Sequence, residues 1–162
     1  MERKISDELL KWKVDSYRKP MLLYGISGCG KTYSALSFGN EEYKNTIYFD
    51  CNNNLELNYV FEKNTTVDKL VRGLSAISLE TIFKGESLII FDNVNEKILK
   101  SVLALFSTGD YHIIMITNDF SFVSFCKGKS VVLKKMTLVT FFEYLKFVGK
   151  EQMIAFIEDS FK

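Results

Sequence analysis

Met21-Leu-Leu-Tyr-Gly-Ile-Ser-Gly-Cys-Gly-Lys-Thr32 decides the fold of this chain. Its first four residues are continuously apolar, the pattern of a strand covered on both faces. Gly25, Gly28 and Gly30 then break the chain into a turn, and helix-compatible residues run from Lys31 to Phe38, where Gly39-Asn40 supplies a stop signal. A strand that turns through glycines into a helix points successive backbone N–H groups at one spot. The helix N-terminus adds its partial positive charge there.

Outward from this stretch, apolar strands alternate with helices. Upstream, Ser6 is placed to cap a short helix through Lys13, with Asp7 and Glu8 in its first turn and Ile5 as a staple. Downstream, strands are predicted at Thr46–Asp50, Ser87–Phe91, Tyr111–Ile116 and Ser130–Leu133. Helical stretches fall between them, at Asn54–Phe61, Thr66–Ile77 and Asn95–Phe106, the last with Ile98, Val102 and Leu105 at helical spacing. A Thr137-capped helix over Leu138–Val148 and a last helix over Glu151–Phe161 complete the chain. The expected fold is α/β, three layers, with a parallel five-stranded sheet and helices on both faces. One domain over 1–162 is expected. It divides into an N-terminal helix and lead-in at 1–19, a core at 20–136, and C-terminal helices at 137–162 leading toward a further domain.

Parallel sheets bind ligands beyond the carboxyl ends of their strands. The polar signals fall there: the glycine turn, Asp50 before Cys51-Asn-Asn-Asn54, Asp92-Asn93, and Thr117-Asn118-Asp119. Gly25-Ile-Ser-Gly-Cys-Gly-Lys-Thr32 matches the phosphate-binding pattern G-x-x-x-x-G-K-[ST] in its required place between strand and helix. The implied ligand is ATP or a related nucleoside triphosphate with Mg²⁺, held by Gly25, Ser27, Gly28, Cys29, Gly30, Lys31, Thr32 and Tyr33. Lys31 reaches the β- and γ-phosphates, while the Thr32 hydroxyl and the Asp92 carboxylate hold the ion. Asp92 also suits a helix N-cap, and Cys29 is either a small filler or a redox-sensitive thiolate at a helix terminus.

Water activation commonly uses a glutamate directly after the metal-binding aspartate. Asn93 occupies that position, and an amide positions water without accepting its proton. Glu96 is the nearest carboxylate in sequence; its bland role is to complement a helix dipole. Asn118 is placed to sense the γ-phosphate or orient the water. Lys31, Asn118 and Glu96 are therefore the catalytic candidates. The arginines, Arg3, Arg18 and Arg72, fall at no strand end, so a transition-state arginine must come from a partner or a further segment.

The remaining features bound the function. Net charge is +1, which gives no general basis for nucleic-acid or anionic-lipid binding. Lys127, Lys129, Lys134 and Lys135 read as a solvated face, and His112 as a packed strand residue. An odd number of cysteines without CxxC spacing fits reduced thiols, and no apolar run reaches the roughly 18 residues of a membrane span. The chain reads as soluble and cytoplasmic.

Several stretches resemble the prokaryotic AAA+-like P-loop ATPases that carry a C-terminal domain of unknown function. They are Trp12 with Arg18-Lys-Pro-Met-Leu-Leu23, Gly30-Lys-Thr-Tyr33, Ile47-Tyr-Phe-Asp50, Leu88-Ile-Ile-Phe-Asp92, Tyr111-His-Ile-Ile114 and Met136-Thr-Leu-Val-Thr-Phe-Phe-Glu-Tyr-Leu145. The resemblance implies strand order 5-1-4-3-2, ATP as the nucleotide, binding roles for Gly25, Gly30, Lys31, Thr32 and Asp92, and a sensor role for Asn118. It also implies a protein partner or a further C-terminal domain, with homo-oligomers as an option. The family usually has Asp-Glu where this chain has Asp92-Asn93, a departure that implies slow or partner-dependent hydrolysis. Asp92-Asn-Val-Asn-Glu96 is also similar to the corresponding region of NACHT and NB-ARC signalling switches, in which nucleotide state controls a partner. A small-molecule kinase fits the size but lacks lid arginines, and a purely structural role requires a decorative phosphate loop.

Overall fold

The computed structural model describes residues 4–63, 66–138 and 141–160. The elements are α1 (Lys4–Val14), β1 (Met21–Tyr24), α2 (Lys31–Glu42), β2 (Asn45–Asp50), α3 (Leu55–Lys63), α4 (Val67–Ser78), β3 (Ser87–Asp92) and α5 (Glu96–Phe106). There follow β4 (His112–Thr117), α6 (Phe120–Cys126), β5 (Val132–Lys135), α7 (Phe141–Phe147) and α8 (Glu151–Ser160). All strand pairs are parallel, in the order β2-β3-β4-β1-β5. This is the expected order 5-1-4-3-2 read from the other edge.

Every residue of β3 and β4 is buried, as continuous apolar runs require when helices cover both faces. Alternate side chains feed two cores. On one face Leu22, Ile89, Phe91, Ile113 and Met115 pack against α3, α4, α5 and α6. On the other, Met21, Leu23, Leu88, Ile90, Ile114 and Ile116 pack against Ile5, Leu9 and Trp12 of α1 and Ala35 and Phe38 of α2. Among the described residues no helix is long and apolar enough to cross a membrane.

Several boundaries differ from the sequence reading. Ser6 lies inside α1, which already includes Lys4, so it is not the cap. Helix α2 continues through Gly39 to Glu42, and Tyr43 N–H closes it onto Gly39 O. Gly39 is there for close approach: a Cβ would sit 2.2 Å from Thr46 Oγ1. Strand β5 starts at Val132, where its N–H reaches Pro20 O at 2.9 Å, because pairing with β1 and not apolar content sets the register. Thr137 and Leu138 precede α7 without being helical. Residues 139, 140 and 161, also assigned to helices, lie outside the described residues. Helix α6 was not foreseen; Asp119 caps it by accepting from Ser121 N–H at 2.8 Å.

His112 is a packed strand residue, as expected. It is buried, 2.7 Å through Nδ1 from Tyr43 Oη, and meets the Trp12 and Tyr43 rings edge-on. Burial, with Arg18 and Lys13 adding repulsion, lowers its pKa from 6.5 to about 4. The unfolded chain therefore binds a proton between these values that the folded chain refuses. The His112 contribution is intact above pH 6.5 and is lost as pH falls toward 4, by about 3 kcal/mol in all. Urea titrations should show the stability gap between wild type and His112→Gln narrowing over that window; a gap independent of pH would refute the account.

Candidate nucleotide site

The site is built where β1 ends. Gly25 follows Tyr24, and a Cβ on it would stand 2.3 Å from Met136 O, because the chain leaving β5 crosses over the loop. Met136 N–H donates to Tyr24 O at 2.7 Å and fixes that crossing. Gly28 and Gly30 take φ of +82° and +92°, left-handed values open to glycine at little cost, and these curl the loop into α2. Gly30 caps α2 with no side-chain hydrogen bond, so the N–H groups of the first turn are left for an anion.

Lys31 is buried. Its ammonium donates to Gly25 O at 3.0 Å and Ile26 O at 2.8 Å, and lies 3.6 Å from Cys29 Sγ. Cys29 is itself buried beneath the loop, close to where a Gly25 side chain would point, which suits a small filler. The Thr32 hydroxyl donates to Asp92 Oδ2 at 2.7 Å. Tyr48 Oη donates to the same oxygen at 2.8 Å, and Asn93 N–H to Oδ1 at 2.8 Å. Asp92 is thus a strand-end carboxylate with three donors. The N-cap of α5 is Asn95, which accepts from Ile98 N–H at 3.1 Å.

Burial raises the Tyr48 pKa, and the bond to Asp92 adds to the rise, so Tyr48 stays a donor. Burial, then the charges of Asp50 and Asp92, push the Cys51 thiol up to about 12 and keep it from acting as a nucleophile near pH 7. Asn93 has φ of +57°, a left-handed value that Asn tolerates better than most side chains. Its Nδ2 donates to Asp50 Oδ1 at 3.0 Å.

A cavity of about 360 Å³ gathers Ser27, Gly28, Gly30, Lys31, Thr32 and Tyr33 with Asp92, Asn93 and Asn118. Gly25 and Cys29 shape the loop from below and do not line this cavity. The structure does not bring Glu96 there. With α5 capped at Asn95, Glu96 is exposed and lines a separate groove with Leu103, Phe125 and Lys129. A second groove, between α1 and α2, carries Asp7, Glu41 and Glu42 and is electrostatically unsuited to phosphate. Sequence reasoning missed Tyr48 and undervalued Asp50. Asp50 was marked only as a strand-end polar residue, and the one signal for Tyr48 was the alternation of β2, which puts both on one face.

A family model described as AAA domain matches residues 17–123. This chain belongs to that family. The match contains the phosphate loop, Asp92 and Asn118, so the AAA domain here is a nucleotide-binding, ATPase-like domain. Among solved structures, C. elegans PCH-2 is similar at a TM-score of 0.49 and 14% identity over 93% of this chain, which spans 46% of that one. No curated protein sequence matches the chain.

Proposed function

We propose that this AAA domain binds Mg-ATP through Lys31, Thr32 and Asp92, and hydrolyses it slowly or only with a partner. The contact between Thr32 Oγ1 and Asp92 Oδ2 at 2.7 Å carries the reading. A hydroxyl and a carboxylate converging beside the phosphate loop form the all-oxygen donor set that suits a hard divalent cation. Thr32 and Asp92 would hold the Mg²⁺, which would supply positive charge against the phosphates. The chain's own groups do the rest. Lys31 moves its ammonium from two carbonyls to the phosphates, the first turn of α2 supplies N–H donors, and Asn118 faces the same cavity.

Turnover is limited by Asn93, whose amide cannot take a proton from water. Asn93→Glu should raise phosphate release at least about 10-fold while costing about 1 kcal/mol of stability, since a Glu must adopt φ near +57°. Calorimetry with Mg-ATP and Mg-ADP, followed by phosphate release from the same sample, tests both parts. Absence of binding at millimolar nucleotide sinks the proposal. The same Asn93 supports a second reading, a nucleotide-dependent switch with negligible turnover; multiple-turnover kinetics separate the two. Any arginine that stabilises the transferred phosphate would come from a partner subunit or a further domain.

A further inference from the structure

Two grooves away from the nucleotide cavity meet at Leu103. One also takes in Leu99 and Phe125, and the other Tyr17 and Phe106, so together they make a trough along α5. Its charge is one-sided. Lys97, Lys100, Lys129, Arg18 and Lys19 line it, against the single carboxylate of Glu96 among the described residues. Lys97 is paired with Glu62 at 2.7 Å, and Lys129 Nζ sits 4.6 Å over the Phe125 ring. The floor is apolar, with Leu99 buried and Leu103 half-buried. A fitting occupant is apolar along one stripe and acidic on its flanks.

This chain carries such an element. Helix α8 includes the apolar run Met153–Ile157, yet none of its residues is buried. Met153 is 46% and Phe156 73% exposed, and the main packing of α8 is on α7. A helix shorter than about 12 residues is marginal in water without packing. By helical spacing Met153, Phe156 and Ile157 share a face, flanked by Glu158 on one side and Asp159 on the other. Between Glu151 and Ser160 there is no basic residue. At about 1.5 Å per residue α8 is about 15 Å long and α5 about 16 Å, so helix and trough match in length.

We propose that the α5 trough is an interaction surface for α8 of a second copy of this chain. The apolar stripe of α8 covers Leu99 and Leu103, while its acidic flanks meet the lysines of the rim. The contact is head-to-tail, trough of one copy to helix of the next, and it closes into a ring or extends as a chain. Nucleic acid suits the charge but not the floor, where leucines offer no stacking platform and Lys129 covers the Phe125 ring.

Two variants separate the halves of the contact. Lys100→Glu with Lys129→Glu reverses the trough rim, and Phe156→Asp spoils the α8 stripe. All three residues are exposed, so both variants should keep the fold, which circular dichroism checks. In sedimentation velocity the wild-type mass should rise with protein concentration and fall with added salt. Each variant alone should associate at least about 10-fold more weakly. Mixed together they should recover a complex that stops at two copies, because one still offers α8 and the other still offers the trough. A contact of α8 with α8, or of trough with trough, gives no such recovery. A wild type that stays monomeric up to its solubility limit, variants that associate as the wild type does, or a mixture no heavier than its components would each overturn the proposal. If that monomer instead bound a single-stranded oligonucleotide, and lost it in the double lysine variant, the trough would be a nucleic-acid groove.

Discussion

On the proposed reading, Lys31→Ala should lower the affinity for Mg-ATP at least about 100-fold in calorimetry and leave the fold in place. In the structure the Lys31 ammonium sits on Gly25 O and Ile26 O, so binding exchanges two neutral acceptors for charged phosphate oxygens. Charge-assisted hydrogen bonds are about twice as strong as neutral ones, so the exchange favours the nucleotide-bound form. Alanine removes the donor from both forms, but only the bound form loses a charged partner. Ile26 is half exposed, so water reaches at least that end of the loop, and the stability cost should stay near about 1 kcal/mol. A variant that folds and binds Mg-ATP as the wild type does would remove the phosphate loop from the function.

Gly39→Ala should destabilise the chain by about 2 kcal/mol in urea titration. Helix propensity alone predicts the opposite sign, since alanine is better than glycine by about 1 kcal/mol inside a helix. Sterics win at this position. The new Cβ would stand 2.2 Å from Thr46 Oγ1, 2.8 Å from Thr46 Cγ2 and 3.0 Å from Leu88 Cδ2. Thr46 is β-branched and stiff, and Leu88 is fully buried, so neither yields cheaply. Thr46→Ala in the same chain should recover most of the loss, because it clears two of those three atoms. A Gly39→Ala protein more stable than wild type would show that α2 does not lie this close to β2.

The strands were legible because the interiors of β1, β3 and β4 are covered on both faces and run apolar without interruption. The strand order was not legible from periodicity; it came from the family resemblance, since nothing local says which strand lies beside which. Gly39 misled because a glycine in a helix has two uses, ending it or letting a neighbour approach, and only packing tells them apart. Helix α6 escaped because Phe120–Cys126 is 7 residues long, under two full turns and interrupted by two serines. The phosphate loop could be read because its residues are contiguous. The contacts of Tyr48 with Asp92 and of Asp50 with Asn93 could not, because they span 44 and 43 residues of chain. Glu96 failed for a related reason: nearness in sequence to Asp92 does not survive the start of a new helix at Asn95.

Two hydroxyl protons on Asp92 Oδ2, from Thr32 and Tyr48, have a consequence for the order of events. Asp92 Oδ2 already accepts two hydroxyls, so a cation reaching it would have to displace at least one of them. An ion that arrives already chelated by polyphosphate brings its remaining oxygens with it and meets a smaller barrier. On the proposed reading, Thr32 and Asp92 would therefore take up an ion more readily with a nucleotide than alone. Tyr48 acts as the latch, and Tyr48→Phe should make the pocket more permissive to metal alone.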